Sequence, residues 1–188
     1  MLGRCKAVDF YGDGSFYLLA TPGHTAGHMC ALARTSTGGP KDTFMFLGGD
    51  IAHHGGEFRP TQYLPIPDQI HPNPLYKPGN HTAAPCPGAI FEAIHPSKCG
   101  DQPFFVPYTG KPSFHHDAKE AKHSIDKMTE FDAYEDIFPV IAHDLHLKDI
   151  IDFYPKPAND WKAKGWKKEG TWRFLRDFDT GSAEHRPQ

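Results

Sequence analysis

Twelve of the 18 prolines in this chain fall between His54 and Ser113. Proline locks φ and removes a backbone donor, so neither a long helix nor a central strand can run through that stretch. Regular structure must therefore come from the flanks, with residues 54–113 as a proline-rich insertion between them. A loop of this length inside a compact domain is commonly a lid or a substrate-binding insertion. The full 188 residues suit one domain with a core of its own.

The leading flank reads as short strands. Ser15 to Ala20 (SFYLLA) is apolar and aromatic, enters from Gly-Asp-Gly and ends at Pro22-Gly23. Met29 to Arg34 (MCALAR) closes on the turn-rich STGGPKD, and Thr43 to Leu47 (TFMFL) is cut off by Gly48-Gly49-Asp50. Three short strands with tight connections predict one sheet. Within the insertion, Ala89 to Ile94 can form a helical turn or two and Phe104 to Val106 a short strand.

In the trailing flank, Ala118, Ala121, Ile125, Met128 and Phe131 recur at three- and four-residue steps, which predicts a helix over 117–131. Ile137 to Ala142 (IFPVIA) reads as a strand whose Pro139 places it at an edge or a bulge. It delivers His143 at its carboxyl end. All three tryptophans lie between Leu147 and Phe178, on one or two expected helices covering the sheet. Residues 179–188 read as a disordered tail.

A net charge of -3 offers no broad attraction to phosphate backbones or anionic lipid. Residues 156–176 hold seven basic and two acidic side chains interleaved with Trp161, Trp166 and Trp172, a pattern that can hold single-stranded nucleic acid. A terminal segment packing its tryptophans on the sheet, with lysines in water, accounts for the same pattern and is favoured. Four cysteines without C-x-x-C spacing point to a reducing, cytoplasmic setting, and no apolar run approaches the roughly 20 residues of a membrane span. The expected partner is a small-molecule substrate, with neither nucleic acid nor membrane.

Thirteen histidines are the unusual count. In TPGHTAGH, His24 and His28 share an i, i+4 spacing, but no glutamate stands between them as in H-E-x-x-H, and Pro22, Gly23 and Gly27 oppose a helix. Two loop histidines held by ordinary hydrogen bonds remain an alternative for this stretch alone. However, His24 follows one predicted strand, Asp50 a second and His143 a third. Strand ends converge on one rim, and a carboxylate with two imidazoles gathered there suits Zn(II) or a similar metal. His53 and His54, just past Asp50, could substitute in a rearranged site, although loop histidines outside the site are the favoured reading. His71, His81, His95, His115, His116, His123, His146 and His185 are read as ordinary surface or core histidines.

The stretches FYLLATPGHTAGH, TFMFLGGD and FPVIAHD, in this order, resemble the second half of the metallo-β-lactamase superfamily, which includes glyoxalase II and the acyl-homoserine lactonases. The resemblance runs from about Val8 to Phe178. It implies an α/β (α+β) fold, part of an αββα sandwich with a mixed sheet and covering helices. It also implies that His24 binds a first metal, Asp50 bridges both metals as the catalytic carboxylate, His143 binds the second, and His28 supports the loop. The complete family site carries one or two zinc ions, whose bound hydroxide attacks an ester, lactone, thioester or amide carbonyl. The family's first motif, H-x-H-x-D-H, is absent, so the chain reads as an N-terminally incomplete domain in which zinc binding is weak or missing. The implied activity is impaired unless another chain supplies the rest. The competing expectation is a non-catalytic remnant or interaction protein that keeps the fold.

Overall fold

The computed structural model describes residues 1–37 and 39–178, so the expected tail at 179–188 lies outside the described residues. In chain order the elements are β1 (Ala7–Asp9), β2 (Phe16–Ala20), β3 (Met29–Ser36), β4 (Thr43–Gly49), β5 (Gln69–Ile70), β6 (Cys86–Pro87), α1 (Ala89–Ile94), α2 (Ala118–Asp132), β7 (Ile137–Ile141) and α3 (Trp166–Gly170). Short 3-10 turns lie at Gly55–Glu57, Leu145–Leu147 and Arg173–Asp177.

One five-stranded sheet, in the order β1-β2-β3-β4-β7, organises the chain. The first four strands form an antiparallel meander, and β7 adds parallel to β4 after the insertion and α2. The sheet is mixed, with helices against it, as expected of an α/β partial sandwich. Pro139 is tolerated because β7 is an outer strand; the β4–β7 ladder also shifts register between Leu47 and Gly49. The parallel crossover has a functional consequence. Strands β2, β4 and β7 all run the same way, so their carboxyl ends, where His24, Asp50 and His143 follow, share one rim.

Side chains alternate across the sheet with the period of two that strands impose. Leu19, Cys30, Leu32, Phe46 and Ile141 meet Ile125, Met128 and Phe131 of α2 on one face. Met45 and Phe138 turn to the other, where Leu147, Trp161 and Trp166 cover them. Asp117 caps α2 by accepting from the N–H groups of Lys119 and Glu120, both at 3.0 Å. Burying a side chain such as Phe46 stabilises by about 1.5–3 kcal/mol, which is why a polar-faced helix docks here.

The insertion builds a core of its own from Ile66, Ile70, Cys86, Phe91 and Phe104, closed by Phe174 and Leu175 of the trailing segment. Trp172 packs against this cluster, so only Trp161 and Trp166 cover the sheet as expected of all three. Their covering segment is mostly turns, with α3 only five residues long. Phe104 to Val106 is not a strand: Pro103 and Pro107 bracket it, and Phe105 makes one backbone bond, to Gly56 at 2.9 Å. A buried ion pair ties insertion to helix. Arg59 donates to both oxygens of Asp132, at 2.6 and 2.7 Å, and to the Thr171 carbonyl at 2.9 Å. Among the described residues no helix is long and apolar enough to cross a membrane.

Candidate metal centre

The rim is built by backbone before any side chain matters. The turn after β2 closes through Gly23 N–H to Thr25 O (3.0 Å) and Thr21 N–H to His28 O (3.1 Å). Gly23 has φ +133, and a Cβ there would stand 2.1 Å from the Ala121 nitrogen, so only glycine lets the start of α2 sit on this turn. The same approach brings His116 N–H to His24 O and Asp117 N–H to Gly23 O, each at 2.9 Å. His115 is thereby pinned beside His24 although 91 positions separate them in the chain.

His24, His53 and His115 form a triad of imidazoles. Each offers a ligand-capable nitrogen, and these atoms all lie within 4.8 Å of one another. Ring centroids are 5.1 Å apart for His24–His53, 5.7 Å for His24–His115 and 5.3 Å for His53–His115. Nδ1 of His24 and Nδ1 of His115 are buried with no hydrogen-bond partner. Burial, followed by the charges of His115 and His24, lowers the pKa of His53, while Asp50 opposes the shift. Burial and then His24 lower that of His115. Uncharged imidazoles with free lone pairs are the form that metals bind. These residues therefore fit a first-row metal ion.

Asp50 and His143 stand beside the triad. His143 Nε2 reaches Asp50 Oδ1 at 3.0 Å, and His53 Nε2 reaches the same oxygen at 3.9 Å. The His53 and His143 rings stack at 5.8 Å. Of the residues singled out in the sequence, the structure thus pairs Asp50 with His143 and sets His24 across the His53 ring from them. Among the described residues, Asp50 and His143 do not join His24 in a set whose donors all fall within 4.8 Å. His143 has φ +66, an uncommon conformation outside glycine that aims its ring at Asp50. Ala142 N–H bonded to Gly49 O at 2.8 Å anchors the strand end beneath it.

The His28 ring lies 5.9 Å from that of His24, centroid to centroid, but keeps no lone pair for a metal. Its Nε2 accepts the Asp50 backbone N–H at 3.1 Å, so Nδ1 carries the proton and donates to the Thr21 carbonyl at 3.1 Å. Both ring nitrogens hold backbone in place. Cys30 beneath them bonds Thr21 and the Gly48 carbonyl, and burial pushes its thiol up to about 12, which leaves it inert.

A second cluster, His54, His146 and Asp177, also brings its donors within 4.8 Å. Its protonation pattern opposes a metal. His54 Nδ1 accepts the Gly56 N–H at 2.9 Å, so Nε2 must carry hydrogen, which it gives to Asp177 at 3.2 Å. His146 is held between Asp144 at 3.1 Å and Asp177 at 2.9 Å. Bonds from Asp144 first, against the effect of burial, and then from Asp177 raise its pKa. This is an ion-paired clamp between the trailing segment and the rim.

The sequence gives no hint of His115 as a site residue: no periodicity or motif links it to His24, and only docking of α2 brings it in. His53 was legible as a possible substitute, being three residues past Asp50. Of the insertion's aromatics, Phe58 is buried in the sheet–helix core, whereas Phe105 lies 5.1 Å from the His54 ring.

Several known proteins are similar to this chain. It is 54% identical over 177 residues to a gamma-lactamase of Fusarium pseudograminearum, covering 94% of this chain and 41% of that protein. It is 56% identical over 127 residues to a gamma-lactamase of Gibberella moniliformis, covering 68% of this chain and 50% of that one. A metallo-hydrolase of Annulohypoxylon moriforme is 42% identical over 178 residues, covering 94% and 44%. The chain thus spans about half the length of these relatives or less. No family model matches it. No solved structure matches either.

Proposed function

We propose that this chain, whose relatives are gamma-lactamases and a metallo-hydrolase, carries the metal-binding rim of a metallo-β-lactamase-type hydrolase that opens a cyclic amide, a γ-lactam. Ester, lactone and thioester carbonyls would be attacked by the same chemistry. The observation that carries this is the gathering of His24, Asp50, His53 and His143 at the carboxyl ends of three co-directional strands. The relatives' names supply the bond type.

A bound divalent metal, zinc in the reading from the donor types, would act as a Lewis acid and lower the pKa of water toward about 7. By the family resemblance His24 would serve one such ion and Asp50 with His143 a second. The protein's own part is orientation. His28 fixes the Asp50 backbone, and Asp50 in turn holds the His143 ring through a 3.0 Å contact. Side-chain exposure falls from 67% at His143 to 37% at Asp50, while His115 is buried, so substrate reaches the site from the His143 side. A groove lined by Val140, Ile141, Leu147, Ile151 and Phe153 begins at His143 and would take an apolar flank of the substrate.

Turnover of a chromogenic γ-lactam, with lactone and thioester analogues beside it, tests this. The assay uses the chain joined to the remaining portion of the Fusarium pseudograminearum gamma-lactamase. Hydrolysis that a chelator abolishes, zinc restores and Asp50→Asn removes is the expected result. A folded, zinc-loaded protein inert on every substrate would overturn it.

A further inference from the structure

We propose that His24, His53 and His115 form a three-imidazole metal site that lies wholly within this chain and needs no ligand from elsewhere. The proposal rests on the metallo-hydrolase reading for the kind of group bound, and adds His53 and His115 to its ligands.

Three observations converge. The nitrogens close to within 4.8 Å of one another, a spacing from which a common ion can be reached with small ring movements. Nδ1 of both His24 and His115 is buried and unpartnered. A buried polar atom left unpaired is destabilising, and two such atoms on rings whose centroids lie 5.7 Å apart call for a shared partner. Three imidazoles with one open position are also a ligand set that Zn(II) and Co(II) accept.

The cradle is preorganised. The His116–His24 and Asp117–Gly23 backbone bonds hold two of the rings together, and the backbone N–H of His53 donates to Glu57 Oε2 at 3.3 Å. Phe114, adjoining His115 and 85% exposed, lies with its ring centroid 6.0 Å from that of His53. Asp50, 3.9 Å from His53 Nε2, is placed to orient that ring. On this assignment Asp50 and His143 adjoin the metal without being needed to retain it.

The chain, stripped of metal, is titrated with Co(II) and followed by its visible ligand-field absorption. One equivalent with a four-coordinate, nitrogen-rich spectrum is expected. His53→Ala and His115→Ala should each weaken binding by about tenfold or more, and His143→Ala by less. In parallel, imidazole nitrogen NMR of the unaltered chain with Zn(II) should show His24, His53 and His115 shifting together at one equivalent, a readout that requires no variant to fold. Failure to bind Co(II), unchanged affinity in both His53 and His115 variants, or shifts confined to His24 and His143 would overturn the proposal. The outcomes separate from those of the hydrolase reading: shifts at His24 and His143 alone leave that reading standing, and a Co(II)-binding triad without turnover sinks the hydrolase and keeps the site.

Discussion

The backbone N–H of Asp50 donates to Nε2 of His28 at 3.1 Å, so an imidazole with no lone pair left for a metal sets the position of the carboxylate at the centre of the rim. Gly49, at φ +54, allows this, since a Cβ there would come within 3.2 Å of the same nitrogen. His28→Ala removes the support without touching a proposed ligand. Zinc-dependent hydrolysis, which the proposed function makes depend on Asp50, is expected to fall about 10- to 100-fold, as is common when an outer partner of a metal-site residue is lost. Turnover of the chromogenic γ-lactam by the variant checks it, and an unchanged rate would contradict the role.

Gly23 carries a steric prediction. Gly23→Ala places a methyl 2.1 Å from the Ala121 nitrogen at a φ of +133, so α2 must shift or the turn must open. Overpacking of this kind costs about 1–3 kcal/mol, to which the backbone strain adds. Because the same approach pins His115 to His24, urea unfolding and metal binding should suffer together. Loss of only one of them would show that the turn and the triad are independent.

The Arg59–Asp132 pair is almost fully buried and hydrogen-bonded at both carboxylate oxygens. Removing one partner strands a charge in the interior, at a cost of about 3–5 kcal/mol, whereas replacing both with apolar side chains can approach neutrality. Tryptophan fluorescence in urea should therefore find Arg59→Met strongly destabilised and the double variant Arg59→Met, Asp132→Leu closer to the parent chain. Additive losses would refute the coupling.

The clamp predicts a pH dependence. His146 has its pKa raised above 6.5 by its bond to Asp144 and then by Asp177. A raised folded value contributes stability that is fully present below the unfolded pKa and is lost as pH rises through the folded one. Burial works to raise the pKa of Asp177, but its bonds to His146 and His54 prevail and hold it below 3.8. That contribution is present above the unfolded value and fades in acid. The melting-temperature gap between the parent and His146→Gln should be widest from about pH 5 to 6.5 and narrow above neutrality. A gap constant into the alkaline range would exclude an ionised clamp.

Strands β2, β3 and β4, the face of α2 and the edge position of β7 were legible because each rests on local signals: apolar runs ended by glycine or proline, a 3.6-residue period, and a proline that bars a central strand. The insertion was legible only as sparse in regular structure. Its core, drawn from Ile66, Phe91 and Phe104 and completed by Phe174, joins residues with no common period. The expected strand at Phe104 failed because one backbone bond between two prolines cannot make a ladder.

By itself the sequence determined where chain direction must break, which faces are apolar, and that His24, Asp50 and His143 each follow a strand. Those are properties of neighbouring residues and need no knowledge of the rest. Only the tertiary structure decided that the three strands run in parallel sense, that His53 stands between His24 and His143, and that His115 completes a triad. The deciding contacts are long-range: α2 settles onto a side-chain-free Gly23, and burial of its apolar face against the sheet brings together imidazoles far apart in sequence.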